Sequence, residues 1–135
     1  MRSALALLVP LLLAGCATRE PPFAPVAQVD YTAVGHDPFW MVTIGDASIV
    51  LTLGAEEPGG RKSDLRTHSV PRVLPRTDGT VTRWESGEGT AVIAIEARHG
   101  PCTGARGLVY REHVTISLSG RQLTGCGGRL VGRGI

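Results

Sequence analysis

The feature that most constrains the fold is an alternation of apolar and polar residues with a period of two. It is clearest in segment 112–119, where Val114, Ile116 and Leu118 occupy every second position. Successive side chains of a β-strand point to opposite faces, so this pattern indicates a strand with one buried face. No stretch of the sequence shows the three-to-four-residue spacing of an amphipathic helix. The sequence therefore predicts an all-β chain.

Weaker alternation or β-branched content marks further strands, separated by turn residues. The predicted strands are 30–34, 39–44, 48–53, 68–74, 80–84, 90–97, 112–119 and 122–125. Turns at 45–47 and around Gly120 predict two hairpins, and Pro71 and Pro75 restrict their segment to a sheet edge. Seven to eight short strands predict a small antiparallel meander that forms a barrel or a sandwich.

Length and charge limit the functional classes. A chain of 135 residues is sufficient for one ordinary domain, and its 18 Gly and 9 Pro agree with many turns. Its 14 basic residues are interspersed with 12 acidic ones, so no basic stripe is available for phosphates. We therefore expect no nucleic-acid partner, and we interpret the charged segment 54–63 as a solvated loop.

The amino terminus has the pattern of an export signal. Arg2 precedes an apolar run, 4–13, that is shorter than the roughly 20 residues of a membrane-spanning helix. Residues 13–16, Leu-Ala-Gly-Cys, resemble the bacterial lipobox, which implies cleavage before Cys16 and acylation of its sulfur. The alternative is an ordinary secretory signal with a coincidental cysteine.

The lipobox interpretation gives three parts to the chain. Residues 1–15 are the lipoprotein signal peptide, 16–28 are a Pro-rich tether that begins with lipidated Cys16, and 29–135 are a single β domain. Multiple acyl chains would hold Cys16 stably in a membrane. Ala17 implies sorting to the outer membrane, so we expect a lipid-anchored protein of the cell envelope, on the periplasmic face of the outer membrane.

Two cysteines remain after Cys16 is assigned to lipid. An even pair in an exported chain predicts a disulfide, here Cys102–Cys126, because exported proteins meet an oxidising environment. The bridge would join a loop before the Val114 strand to the strand after Gly120. A reactive thiol or a metal site is the alternative, but neither cysteine has a second one at the spacing of zinc sites.

Three motifs resemble those of a known family. They are Gly35-His36-Asp37-Pro38-Phe39-Trp40, Pro101-Cys102 and Gly125-Cys126. They resemble a family of uncharacterised bacterial envelope lipoproteins that carry Gly-x-(Glu/Asp)-Pro-Phe-Trp and a C-terminal Pro-Cys…Gly-Cys pair. That family is sometimes fused to META-type heat-shock lipoprotein domains, which implies a role in envelope stress. Segment 103–110 departs from the family pattern because it keeps Tyr110 but lacks the acidic residues.

The first motif also has a physical interpretation. Pro38 fixes its own backbone and keeps Asp37 out of the helical region, so the chain should enter the next strand extended. Phe39 and Trp40 then point to opposite faces of the sheet. One of them is expected in the core, and in a closed barrel the other would lie on the outside or under a loop. Gly35 and the other motif residues could alternatively contribute to a ligand pocket, with an aromatic side chain as its wall.

No pattern in the sequence indicates catalysis. His36, His68, His99 and His113 lack the spacing of a metal-binding helix, and adjacent residues such as His36 and Asp37 point apart in an extended segment. The glycine-rich stretch 125–128 precedes no helix, so it does not predict a phosphate site. We expect no cofactor, no metal and no enzymatic activity.

Two functions fit these expectations. The first is a non-catalytic, membrane-anchored module that binds an unidentified ligand or protein, or acts in envelope stress. The second is an inhibitor of a lysozyme-like enzyme, because segment 86–89, Ser-Gly-Glu-Gly, loosely resembles the Ser-Gly-x-Gly-x-Tyr loop of small lipoproteins that block lysozyme.

Overall fold

The computed structural model of the chain describes residues 29–54 and 65–134. In these residues, nine antiparallel strands form one sheet that is curled into a half-barrel, which confirms the all-β prediction. The strands are β1 (Tyr31–His36), β2 (Phe39–Ile44), β3 (Ser48–Leu53), β4 (Arg66–Pro71), β5 (Arg76–Asp78), β6 (Val81–Ser86), β7 (Ile93–Thr103), β8 (Leu108–Leu118) and β9 (Arg121–Arg133). The predicted signal peptide, Cys16, the tether and nearly all of the predicted 54–63 loop lie outside the described residues.

The sheet is a meander whose first and last strands pair. The spatial order is β4-β3-β2-β1-β9-β8-β7-β6-β5, so β9 closes onto β1 and the two edges are β4 and β5. The hairpins predicted around 45–47 and Gly120 are present as β2–β3 and β8–β9. Strand β4 lies at an edge of the sheet. Proline has no N–H to donate, and an edge strand tolerates this because one of its sides has no partner strand.

Some boundaries differ from the sequence prediction. A 3-10 turn at Gly89–Ala91 precedes β7, which therefore begins later than residue 90. Strand β5 has three exposed residues and no alternating pattern, so it is not predictable from the sequence, and it raises the strand count to nine. Cys102 lies within β7, not in a loop.

The lead-in to Phe39 also differs from the prediction. His36 pairs with Phe39, so Asp37 and Pro38 form a two-residue turn between β1 and β2, with a cis peptide bond between them. The sequence instead predicts that residues 37 and 38 lead into the next strand in an extended conformation. The motif is therefore the tip of a hairpin, and its register places Gly35 directly opposite Trp40.

One apolar cluster fills the concave side of the sheet. Alternate residues of the strands contribute to it, as the period of two requires. The buried members are Ala33, Trp40, Val42, Ile44, Ile49, Leu51, Val70, Trp84, Ile93, Ile95, Ala97, Val114, Ile116 and Leu123. Every predicted apolar position of β8 except Leu118 is fully buried, and Leu118 packs against the cluster.

The free sides of β4 and β6 approach each other. Because β5 pairs only with residues 81–83 of β6, the second half of β6 is available to face β4. There the Ser86 hydroxyl donates a hydrogen bond to the Pro71 carbonyl, and Ser86 is buried. This side-chain hydrogen bond thus connects β4 and β6, which do not pair as neighbouring strands of the sheet.

In segments 29–54 and 65–134, no helix has the length and apolar character required to cross a membrane.

Candidate functional site

The aromatic pair of the hairpin motif divides between core and surface. Trp40 is 1% exposed, and its Nε1–H donates to the Thr124 carbonyl over 3.2 Å. Phe39, on the opposite face, is 38% exposed. Buried indoles need a partner for their N–H, and β9 supplies one. Trp40 is therefore a core anchor, which was one of the two interpretations of this motif.

Two glycines of the recognised motifs make room for the Trp40 indole. A Cβ at Gly35 would lie 2.5 Å from Trp40 Cε2 and 2.7 Å from the Thr124 carbonyl oxygen. A Cβ at Gly125 would lie 2.7 Å from Trp40 Cζ2. All three distances are far below those of van der Waals contact. The Gly-x-Asp-Pro-Phe-Trp motif and the Gly-Cys pair thus belong to one packing unit.

The disulfide predicted between Cys102 and Cys126 is present. Their Cα atoms are 5.5 Å apart, and the cysteines are 6% and 4% exposed. The ladder between β7 and β8 is interrupted by a bulge between His99 and Cys102. The bridge connects the segment of β7 beyond this bulge to β9 on the other side of β8.

A cleft at one end of the sheet contains a cluster of polar side chains that the sequence did not predict. It has a volume of about 550 Å³ and is lined by Val29, Asp30, Tyr31, Thr32, His99, Arg111, Glu112, Gly128 and Arg129. At its base the Tyr31 hydroxyl donates to Glu112 Oε2 over 2.7 Å. A hollow of about 370 Å³, lined by 79–80, 82, 99 and 112, shares His99 and Glu112 with it.

Glycines of β9 position the Tyr31–Glu112 pair. A Cβ at Gly127 would lie 2.6 Å from the Tyr31 hydroxyl oxygen, and one at Gly128 would lie 2.8 Å from Glu112 Oε2. Gly128 also has φ +74°, a conformation that glycine adopts without the usual steric cost. The glycine-rich stretch therefore serves to admit these two side chains, which its composition alone did not reveal.

The Tyr31 hydroxyl is a protonated donor in an environment that disfavours its ionisation. Its ring lies 4.8 Å from that of Trp84, centroid to centroid, at an interplanar angle of 36°. Desolvation by this environment raises the pKa of Tyr31 well above its usual range, and the hydrogen bond to Glu112 and the charge of that carboxylate raise it further. Glu112 keeps additional acceptor capacity, because a carboxylate can accept several hydrogen bonds.

His99 is the one histidine that reaches the cleft. It pairs with Glu112 in the β7–β8 register, and Arg111 Nε donates to His99 Nε2 over 3.4 Å. No hydrogen bond joins His99 to Glu112 in the described part of the chain, so the two do not form a base with its orienting carboxylate. The cleft is thus lined by side chains that carry hydrogen-bond donors and acceptors.

The remaining sequence candidates lie elsewhere. The His36 ring lies near that of Phe39 at the β1–β2 turn, 6.4 Å between centroids and tilted by 54°. Ser86, in the segment that loosely resembles a lysozyme-inhibitor loop, is 7% exposed and bonded to Pro71. Within the ranges that the structure covers, no group of three or more His, Cys, Asp or Glu side chains could hold a metal ion.

The convex face carries ion pairs of a different kind. Glu96 accepts hydrogen bonds from Arg83 Nε at 3.0 Å and from Arg98 Nη2 at 3.1 Å. The bond from Arg83, followed by the other favourable interactions with Arg83 and Arg98, lowers the pKa of the Glu96 carboxyl. These exposed pairs contribute solubility and little stability.

Comparison of the chain with protein-family models, with curated proteins and with solved structures finds no match in any of the three.

Proposed function

We propose that this protein is a non-catalytic, lipid-anchored module of the bacterial cell envelope that binds a ligand in the cleft above Tyr31 and Glu112. The supporting observation is the hydrogen bond between these two side chains at the base of a cleft of about 550 Å³. A binding site is typically a concavity of this size with a few fixed polar groups.

The construction of the cleft supports a role beyond packing. Packing against Trp84 restricts the Tyr31 ring. The hydrogen bond with Tyr31 orients Glu112, and the lack of a side chain at Gly128 leaves room for its carboxylate. Such a pre-organised acceptor binds a ligand donor without paying the entropy of ordering a free side chain. Glu112 is partly buried and accepts the Tyr31 hydrogen bond through Oε2, so its carboxylate keeps acceptor capacity for a ligand.

The proposed anchor and location rest on the sequence alone. The lipobox-like residues 13–16 and the Pro-rich segment 16–28 would hold the domain near a membrane, with Cys16 as the acylated residue. The first described residue, Val29, lines the cleft, so the tether would join the domain at the rim of the proposed site.

The alternative function, inhibition of a lysozyme-like enzyme, stays a prediction. Ser86 is buried and bonded to Pro71, so the exposed residues of that segment, with which an enzyme would make contact, are Glu88 and Gly89. Assays of lysozyme activity with added protein test this alternative directly.

The proposed function is tested by recovering the ligand. The full chain, extracted in detergent from the membrane of its host, is incubated with a soluble envelope extract and examined by native mass spectrometry. Wild type and Glu85→Gln, an exposed acidic residue outside the cleft, should carry the same bound species. Glu112→Gln should lose at least tenfold in occupancy, since it removes the charge of the acceptor.

Circular dichroism of Glu112→Gln establishes that the variant is folded. Equal occupancy of Glu112→Gln and wild type, or the absence of any bound species on wild type, would contradict the proposal.

A further inference from the structure

A bulge places two arginines beside each other at the rim of the cleft. Tyr110 pairs with Leu130 and Glu112 pairs with Gly127, so Arg111 on β8 faces Gly128 and Arg129 on β9. One residue opposite two is the definition of a β-bulge, which changes the direction of side chains at the point where it occurs. Arg111 and Arg129 both line the cleft.

Neither arginine has an acidic partner in the described residues. The interaction of Arg111 is the donation from Nε to His99, and the ion pairs of the described segments involve Arg72, Arg83 and Arg98 instead. Like charges on facing positions of neighbouring strands are destabilising. Residues 111 and 129 face each other across the bulge, and no acidic residue in the described ranges offsets their charges.

Each of the two acidic residues of the cleft has a partner other than Arg111 or Arg129. Asp30 Oδ2 pairs with Arg72 Nη2 at 2.6 Å, and Glu112 Oε2 accepts from Tyr31. In the described residues, neither carboxylate forms an ion pair with Arg111 or Arg129, although these two arginines line the same cleft. Within residues 29–54 and 65–134, the positive charge at the rim is thus left without an acidic partner.

We propose that Arg111 and Arg129 bind a carboxylate of the ligand, while Glu112 accepts a hydrogen bond from an adjacent N–H or O–H of the same molecule. This inference rests on the proposed function and names its ligand class. Guanidinium groups match the planar geometry of a carboxylate and bind it with two parallel hydrogen bonds. A carboxylate next to a donor occurs at the carboxyl end of a peptide and in a sugar acid.

Two pairs of probes test whether binding requires a carboxylate, and whether that carboxylate belongs to a peptide or to a sugar acid. The peptide pair is N-acetyl-alanine and N-acetyl-alanine amide, and the sugar pair is glucuronic acid and glucose. Each is titrated to millimolar concentration into the isotope-labelled full chain while its backbone amide resonances are recorded. One of the carboxylates should shift the amides of His99, Arg111 and Gly128 saturably, whereas its uncharged counterpart should not.

Variants assign the effect to the arginines. Arg111→Gln and Arg129→Gln should each weaken the binding of the carboxylate about tenfold, the loss expected for one charge-assisted hydrogen bond. Arg76→Gln, an exposed arginine on β5, is the matched control and should leave it unchanged. In the absence of a ligand and at low salt, both cleft variants should also unfold at a higher temperature than wild type, because they remove the repulsion between the arginines.

The outcomes separate this inference from the proposed function. If an uncharged probe binds as well as its carboxylate and Glu112→Gln abolishes both, the carboxylate inference is wrong and the cleft remains a binding site. If no probe shifts any cleft amide, the inference is likewise overturned, and recovery of the ligand from envelope extract decides the proposed function independently. Binding that is unchanged in Arg111→Gln and Arg129→Gln also contradicts it.

Discussion

The indole of Trp40 lies over Gly35, its direct partner across the β1–β2 hairpin. The indole occupies the space that any side chain at residue 35 would need, and its N–H reaches the Thr124 carbonyl on β9. This relationship explains why a glycine and a tryptophan occur at the two ends of one short motif. It also connects the start of the domain to its final strand.

Replacing Gly35 by alanine should therefore destabilise the protein by about 2 kcal/mol, since the new Cβ would overlap the indole and force the hairpin or β9 to shift. Chemical denaturation followed by tryptophan fluorescence measures the change. Gly132→Ala is the matched control, because a Cβ at Gly132 would have no neighbour within 4 Å. Its effect should stay within about 0.5 kcal/mol. Equal stability of the two variants would show that the indole does not depend on Gly35.

Much of this sheet was predictable, for reasons that are local. Strands β2, β3 and β8 alternate cleanly because their residues face one core on one side and solvent on the other. Strand β5 escaped prediction because an exposed three-residue edge strand buries nothing that would leave a pattern.

The candidate site could not be predicted in the same way. Tyr31 and Glu112 are 81 positions apart, and Trp40 and Thr124 are 84 apart, so no window of sequence contains either contact. From the sequence, the glycine-rich stretch 125–128 does not predict a phosphate site, and nothing in it indicates another role for its glycines. Each instead admits a side chain from another strand, an arrangement that only the register of β9 against β1 and β8 reveals.

Removing the disulfide by Cys102→Ala with Cys126→Ala should lower the free energy of unfolding by about 3 kcal/mol, through the greater freedom of the unfolded chain. The bridge encloses a loop of sequence separation 24. Denaturant unfolding of the oxidised protein and of the double variant gives the difference. Since both cysteines are buried, reduction of the folded protein should also be slow until denaturant is added. A difference near zero would contradict the expected stabilisation by the bridge.

Tyr31 should make the stability fall at high pH. Its pKa is raised in the folded protein by desolvation first and by Glu112 second, so the folded state holds a proton that the unfolded state loses near pH 10. The contribution is fully present below about pH 10 and is lost as the pH rises further. Tyr31→Phe should remove this part of the pH dependence, whereas Tyr110→Phe should retain it. Identical curves for wild type and Tyr31→Phe between neutral and strongly alkaline pH would contradict this account.

The proposed anchor makes a separate expectation about mass and location. Protein extracted from its host's membrane should lack residues 1–15 and carry acyl chains on Cys16, because lipobox cleavage leaves that residue at the amino terminus. Intact-mass spectrometry reads both changes at once. Cys16→Ser should abolish the acyl mass and release any exported protein from the membrane fraction. A wild-type chain that retains its first fifteen residues would refute the anchor but leave the cleft intact.

The most direct test of the binding cleft is a map of backbone amide shifts on the full chain as the ligand from envelope extract is added. The expected result is a set of saturable shifts at Tyr31, His99, Glu112 and Gly128, absent in Glu112→Gln and retained in Glu85→Gln. Shifts centred instead on the exposed face around Phe39, or an unchanged spectrum at saturating extract, would contradict the claim that this cleft is the functional site.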